Sequence, residues 1–362
     1  MDCHRHRAPD GAEFLRDFGR RLFARRVPVS ASLEFTRRCN LRCVHCYLRE
    51  EPLPDGEAEL DTGQWREVID QITREGCLNL LLTGGEPLLR RDFAEIYRHA
   101  RRRGLLVTVF TNATLVTAET VALFREFPPQ KVEITLYGAT RGVYEEVTGV
   151  PGSHRRCLDG FRRLLRGGVR TALKTMVLTT NQHQVEAMRE FARRAGVGFR
   201  LDAALFPTLS GERRPLAFRV PADLAVEREL ADGALRDSWR AYGERMGGAA
   251  PPDGLYHCGA GVTDFHLDAA GRLLPCLMST RAAGLVREEG SFARLWREEM
   301  PRLREQKAER DIVQCNRCPA RAFCGFCPAF FRLESGDETV RSDYLCRQAH
   351  LRREMVTRQS PG

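Results

Sequence analysis

The sequence predicts an α/β fold: a partial (β/α)6, TIM-like barrel followed by a cysteine-rich C-terminal domain. Three observations predict it. Short apolar runs alternate with amphipathic helical patterns six times between residues 32 and 201. Glycine or proline closes nearly every helical pattern. Beyond residue 257 the alternation stops, and loops with cysteine pairs replace it.

Taken in order, residues 1–29 form a leader segment. Phe14, Leu15, Phe18, Leu22 and Phe23 fall at helical spacing over 11–26, and Pro28 ends the helix. The core, 30–206, opens with a strand at 32–36. A helix at 62–74 ends at Gly76 and leads to a strand at 78–83. A helix at 92–103 ends at Gly104 and leads to a strand at 105–110. A helix at 117–127 stops at Pro128 and Pro129 before a strand at 132–136. A helix at 153–166 ends at Gly167 and Gly168 before a strand at 171–178. A helix at 184–195 ends at Gly196 before a strand at 197–201. Such units are right-handed crossovers and give a parallel sheet, whose strands read as buried on both faces. Six repeats suit an incomplete barrel, with chemistry at the C-terminal ends of the strands. Residues 207–257 read as a connector with one helical run, 222–242. Residues 258–362 form the C-terminal domain, with helices at 291–306 and 344–355.

Composition sets the class. The 362 residues are 43% hydrophobic and 29% charged, as in ordinary globular chains. No apolar run reaches a membrane span and no signal-peptide core follows Met1, so a cytoplasmic protein is expected. Thirteen cysteines in a reducing compartment argue for metal or catalytic thiols over disulfides. The net charge of +9 comes almost wholly from arginine, lysine standing only at Lys131, Lys174 and Lys307. It favours an acidic partner, a peptide or nucleic acid, at long range. Single-strand nucleic-acid readers interleave aromatics with basic residues, and aromatics are only 8% here.

The chemistry is concentrated in two places. Cys39, Cys43 and Cys46 follow the first strand at spacing C-x3-C-x2-C. A loop leaving a strand can turn all three inward onto one metal centre. A closed structural site would use four protein ligands, and three leave one position open for chemistry. The alternative is a zinc site with His45 as fourth ligand, although zinc pairs usually come from two separate knuckles. After the second strand stands Thr83-Gly84-Gly85-Glu86-Pro87, whose glycines would let a ligand approach the backbone. It lacks the Gly-Lys-Ser/Thr of a phosphate loop.

Together, Cys39-x3-Cys43-x2-Cys46 and Gly84-Gly85-Glu86-Pro87 on a six-unit β/α pattern resemble the radical S-adenosylmethionine (SAM) superfamily. The resemblance implies that the three cysteines hold a [4Fe–4S] cluster whose open iron is chelated by SAM. Reductive cleavage then gives methionine and a 5′-deoxyadenosyl radical that abstracts substrate hydrogen. It implies that Gly84 to Pro87 accept hydrogen bonds from the SAM amino group and that His45 packs near adenine. Thr111, with Asn112 after it, would be a polar contact, and Thr135 stands where the family has a ribose contact. Relatives place an arginine for the SAM carboxylate where this chain has Val147. Lys174 is a replacement cation or, alternatively, a stem in the barrel wall.

The C-terminal spacing, Cys258-x12-Gly271-x4-Cys276, Cys315-x2-Cys318-x5-Cys324-x2-Cys327 and Cys346, resembles the SPASM domain of radical SAM peptide maturases. By that resemblance Cys315, Cys318, Cys324 and Cys346 hold one auxiliary [4Fe–4S] cluster. Cys258, Cys276 and Cys327 hold another, with an open iron or Asp264 as fourth ligand. Two zinc sites are the alternative. Cys3, Cys77 and Cys157 have no assigned role. Leu277 stands where the sulfatase-maturing branch carries an aspartate, which disfavours that activity. The expected function is oxidative modification of a ribosomally made peptide, with a flavodoxin- or ferredoxin-type electron donor and a separate leader-recognition protein. The alternatives are the same chemistry on a small molecule, such as a tetrapyrrole, and a non-catalytic zinc or nucleic-acid-binding protein.

Overall fold

A computed structural model describes residues 11–48, 53, 57–246 and 254–358. Cys3 lies outside them. The six expected strands form, each within about two residues of its sequence-derived position. They are β1 (Ser30–Glu34), β2 (Asn79–Thr83), β3 (Leu106–Thr111), β4 (Lys131–Thr135), β5 (Thr171–Met176) and β6 (Gly198–Asp202). All pair in parallel, in sequence order. The sheet continues past β1 with β7 (Asp264–Leu267), which is parallel, then β8 (Arg272–Leu274) and β9 (Gly284–Leu285), which are antiparallel.

One face of the strands is apolar. Leu33 pairs with Leu82, Leu82 with Val109, and Val109 with Val132, and all four are fully or almost fully buried. They pack under Trp65, Ile69, Ile72 and Tyr97 of the helices Thr62–Arg74 and Phe93–Arg102. Asp61 starts the first of these through a capping box with Gln64. The expectation of burial on both faces fails. The other face carries Ser32, Glu34, Thr83, Thr135, Lys174 and Arg200, because the sheet stays open and this side lines a cleft.

The expected divide before Cys258 does not separate two cores. Phe265, Leu267, Val286, Phe292 and Trp296 belong to the same apolar cluster as β1 to β5. The stretch expected to be a connector is also packed. It holds two helices, Ala222–Leu230 and Gly233–Met246, not one. Glu229 pairs with Arg352 of the C-terminal helix Asp343–Thr357, at 2.7 Å. The expected helix at 291–306 is continuous but has a π turn, Leu295–Glu299, where Met300 donates to Leu295 just before Pro301. Three helices went unpredicted: Arg141–Thr148, Asp311–Asn316 and Pro328–Ser335.

Candidate metal centre and cofactor cradle

The cysteine loop follows β1 and is held from both sides by backbone. Arg42 and Val44 donate to the carbonyls of Thr148 and Val147 at 2.9 and 3.0 Å. The helix Arg141–Thr148 therefore matters here for its C-terminal carbonyls, and Val147 contributes its carbonyl where relatives have arginine. Gly149 closes that helix at φ 64°, and a Cβ there would stand 2.9 Å from the Arg42 carbonyl. On the other side, Gly85 and Glu86 donate to Thr36 and Arg38 at 2.7 and 2.9 Å. A Cβ on Gly84 would meet the Thr36 carbonyl at 2.4 Å, and one on Gly85 the Arg38 carbonyl at 2.3 Å. These glycines thus let the chain's own loop approach; the close partner expected to be a ligand is the cysteine-loop backbone.

The three thiols act on one another electrostatically. Each of Cys39 and Cys43 is destabilised as a thiolate by its neighbours in the loop, after burial itself. Cys39 is exposed as a residue, yet the protein packed round its sulfur pushes its pKa up to about 11. Cys43 is pushed well above the usual thiol range. Without a cation these groups stay protonated; a metal cluster reverses that balance and releases protons. Among the described residues, no three His, Cys, Asp or Glu side chains stand close enough for a single metal ion.

Around the thiols lies a polar cradle. Glu86 accepts from the Thr111 hydroxyl at 2.7 Å, the Asn112 backbone at 2.8 Å and the Leu88 backbone at 3.1 Å. Burial still raises its pKa to about 7. Pro87 is buried and starts a short 3-10 turn, Pro87–Leu89. Asn112 reaches Asn40 at 2.9 Å and the Cys39 sulfur at 4.0 Å. Ala113 follows in a left-handed conformation, φ 59°, which turns the chain at this point. Thr111 therefore acts through Glu86. His45 is buried edge-on to Tyr137, 4.8 Å between ring centres, and its Nδ1 has no hydrogen-bond partner. Burial lowers its pKa to about 4, so the ring is neutral. A buried ring nitrogen left unpaired beside three thiols fits a missing polar group. Thr135 ends β4 on the cleft face, opposite Lys174. The Lys174 amine lies over the Phe110 ring, 2.8 Å from its centre, near Arg200 and Glu133. Burial holds its pKa well below the usual lysine value.

The C-terminal cysteines sort into two sets. Cys276 and Cys327 act electrostatically on each other and on Cys258, and burial raises them to about 11 and 12. Cys327 caps the helix Pro328–Ser335, accepting from Phe330 at 3.4 Å. Asp264 lies against Gly259, the residue after Cys258: a Cβ on Gly259 would stand 2.1 Å from its carboxylate. Cys315, Cys318, Cys324 and Cys346 line one cavity. Cys77 and Cys157 are buried elsewhere and their pKa values are raised to about 12, as inert thiols.

A cavity of about 270 Å³ lies between β1, β7 and the segment after Cys276. Glu34, Arg37, His266, Asp268 and Leu277 line it. Ser32 meets His266 at 2.8 Å, and Arg37 meets Glu34 at 2.9 Å. Burial raises Glu34 to about 7 and lowers His266 to about 4. Sequence reasoning missed Glu34, Arg37, His266 and Asp268. The only signal was Glu34 inside an otherwise apolar strand, since β7 lay in a stretch read as loops.

A sequence model of the radical SAM superfamily matches residues 33–192. Residues 33–192 are a radical SAM domain. The chain is an enzyme, which sets aside the non-catalytic zinc or nucleic-acid reading, and such domains work with a [4Fe–4S] cluster and SAM. It is 28% identical over 289 residues to PqqA peptide cyclase of Rhodopseudomonas palustris, covering 75% of this chain and 74% of the relative. It is 27% identical over 342 residues to AdoMet-dependent heme synthase of Methanosarcina barkeri, covering 88% and 96%. Mycofactocin maturase MftC of Mycobacterium ulcerans is 28% identical over 311 residues, covering 81% and 80%. The radical SAM fold is shared with SAM-bound SuiB of Streptococcus suis, at TM-score 0.68 and 14% identity, covering 95% and 83%. It is also shared with anSMEcpe bound to AdoMet, at TM-score 0.69 and 14% identity, covering 92% and 98%. No helix among the described residues is long and apolar enough to cross a membrane.

Proposed function

We propose that Cys39, Cys43 and Cys46 hold the [4Fe–4S] cluster, that SAM binds beside it, and that a ribosomally made peptide is oxidatively modified. The carrying observation is the convergence of three thiols in a loop at the C-terminal end of β1, next to the unpaired Nδ1 of His45. Three thiols on one short loop, with a fourth position left open, suit a [4Fe–4S] cubane. When bound, the cluster supplies the electron that cleaves SAM to methionine and a 5′-deoxyadenosyl radical.

The chain's own residues do the rest. Glu86 fixes Thr111 and Asn112, and so the edge of the cradle. Gly84 and Gly85 hold that edge against the cysteine loop. His45 and Tyr137 close the apolar side, and Thr135 offers a hydroxyl to the ribose. Lys174 offers a hydrogen bond to a SAM carboxylate or a substrate group from β5. The cavity lined by Glu34, Arg37 and His266 receives the substrate between the N-terminal and C-terminal cysteines. Cys258, Cys276 and Cys327, with Asp264 against the adjoining Gly259, hold a second cluster, and Cys315, Cys318, Cys324 and Cys346 a third. When bound there, such clusters would supply a place for the electron left on the substrate. A flavodoxin- or ferredoxin-type protein supplies the reducing electron, and a leader-recognition protein presents the peptide. Reduced thiols in this number suit a cytoplasmic enzyme.

Peptide cyclase and maturase relatives support the peptide. The heme synthase match, which spans 96% of that relative, favours a second reading, a tetrapyrrole substrate. The test incubates the reconstituted enzyme with SAM, reductant and either a genome-neighbouring peptide or an iron tetrapyrrole carboxylate, and follows 5′-deoxyadenosine and substrate mass. Substrate-stimulated 5′-deoxyadenosine with loss of hydrogen mass from the peptide is the expected result. Stimulation by the tetrapyrrole alone overturns the peptide assignment, and no 5′-deoxyadenosine from enzyme carrying a full iron complement overturns the reading as a whole.

A further inference from the structure

We propose that Arg321 and Arg341 form a cationic collar, with the His350 ring beside it, around the group held by Cys315, Cys318, Cys324 and Cys346, and that the collar raises its reduction potential. The inference rests on the reading that this set holds an iron–sulfur cluster. The three side chains line the same cavity as the four cysteines. Arg321 is held there by stacking on Phe326, with its guanidinium carbon 4.0 Å from the ring centre. Its Nε–H is buried and has no hydrogen-bond partner. The Nε–H of Arg341 is buried and unpartnered too. The nearest acid to Arg341, Asp343 at 3.8 Å, is 96% exposed, so solvent screens that pair. The His350 ring nitrogen Nε2 stands 3.9 Å from the Cys318 sulfur.

A buried guanidinium N–H without an acceptor is costly, and two around one cavity point to an anionic group with several weak acceptors inside it. The sulfurs of a cluster ligated by four thiolates meet that description. Each electron added makes such a cluster more negative, so neighbouring cations favour the reduced form. The acidic neighbour is Asp311, at the rim near Cys315. Arg352, near Cys324, is already engaged by Glu229 and the Phe323 carbonyl.

The other C-terminal set has different surroundings. Cys276 feels the carboxylate of Glu338, which is 2% exposed and bonded to Arg281 at 3.0 Å. The unpaired cationic N–H groups therefore belong to the cavity of Cys315, Cys318, Cys324 and Cys346.

The test is a potentiometric titration followed by electron paramagnetic resonance on the full chain, reconstituted anaerobically in a Cys39→Ala, Cys43→Ala, Cys46→Ala background. A further Cys315→Ala variant assigns the signals. Arg321→Gln and Arg341→Gln are each expected to lower the reduced-to-oxidised ratio of the collared cluster about tenfold at fixed potential, about 59 mV for one electron. His350→Gln is expected to move it less, in the same direction. Arg297→Gln, an exposed ion pair with Glu75 far along the chain, is the control and is expected to leave it unchanged. Unchanged midpoints in both arginine variants with iron content retained overturn the collar while leaving the clusters in place. An equal shift in the other cluster, or in the control, overturns it as well. Iron equivalent to fewer than two clusters in the background protein overturns the cluster reading, and the collar with it.

Discussion

The loop from Cys39 to Cys46 and the region from Cys258 to Cys346 use the same side chain by different means. In the first, three thiols are neighbours in sequence, and the fold only has to keep one short loop curled. It does so with backbone: the carbonyls of Val147 and Thr148 take the N–H groups of Val44 and Arg42. In the second, each set joins residues from several elements, Cys327 from a helix cap and Cys276 from the turn after β8. Its geometry depends on the apolar clusters around Phe330, Phe331 and Leu345, and around Phe323 and Val356. A local site tolerates rearrangement elsewhere; a dispersed one does not.

The largest effect expected from that contrast is loss of activity with division of labour. Cys43→Ala should abolish 5′-deoxyadenosine formation in a chromatographic assay. Cys346→Ala should leave SAM cleavage measurable while product falls at least tenfold. Equal loss of SAM cleavage in both would break the comparison. Iron analysis sharpens it next. About twelve irons per chain are expected after reconstitution, about eight when the N-terminal cysteines are replaced, with little zinc.

Smaller effects concern the cradle. In the metal-free chain, burial raises Glu86 to about 7 from an ordinary 4.5. A raised acid favours its protonated form, so its contribution to stability is complete below 4.5 and is lost as pH rises toward 7. The unfolding free energy of the native sequence, taken relative to Glu86→Gln, should therefore fall by at most about 3 kcal/mol across that window. The comparison with the variant is needed because His45 and His266, lowered to about 4, make stability rise over part of the same range. Denaturant titrations at several pH values check it, and a difference that grows with pH would be the wrong sign. Gly85→Ala should cost about 1–3 kcal/mol by pushing on the Arg38 carbonyl, 2.3 Å from the added carbon. The same substitution at Gly104, where no atom lies within 4 Å, should show only the strain of its left-handed backbone, φ 84°.

Much of this was legible in the sequence. Short apolar runs between helices closed by glycine located β1 to β6, because a strand inside a sheet needs apolar residues and a helix must stop. Cysteine spacing located the N-terminal site, because neighbouring thiols on a short loop have few ways to diverge. The seventh parallel strand was not legible. Asp264 to Leu267 is too short to show a period, and its place beside β1 depends on a contact between segments far apart in the chain. The same holds for the cavity of Glu34, Arg37 and His266, whose members share no motif. Packing against β1 brings them together, and a separate packing around Phe326 and Leu345 brings Arg321 and Arg341 to the cavity of Cys315, Cys318, Cys324 and Cys346. The sequence by itself determined what repeats locally and which thiols lie near one another along the chain. Tertiary structure decided which polar groups share a buried space, since burial and the charges within it belong to the packed molecule and to no single segment.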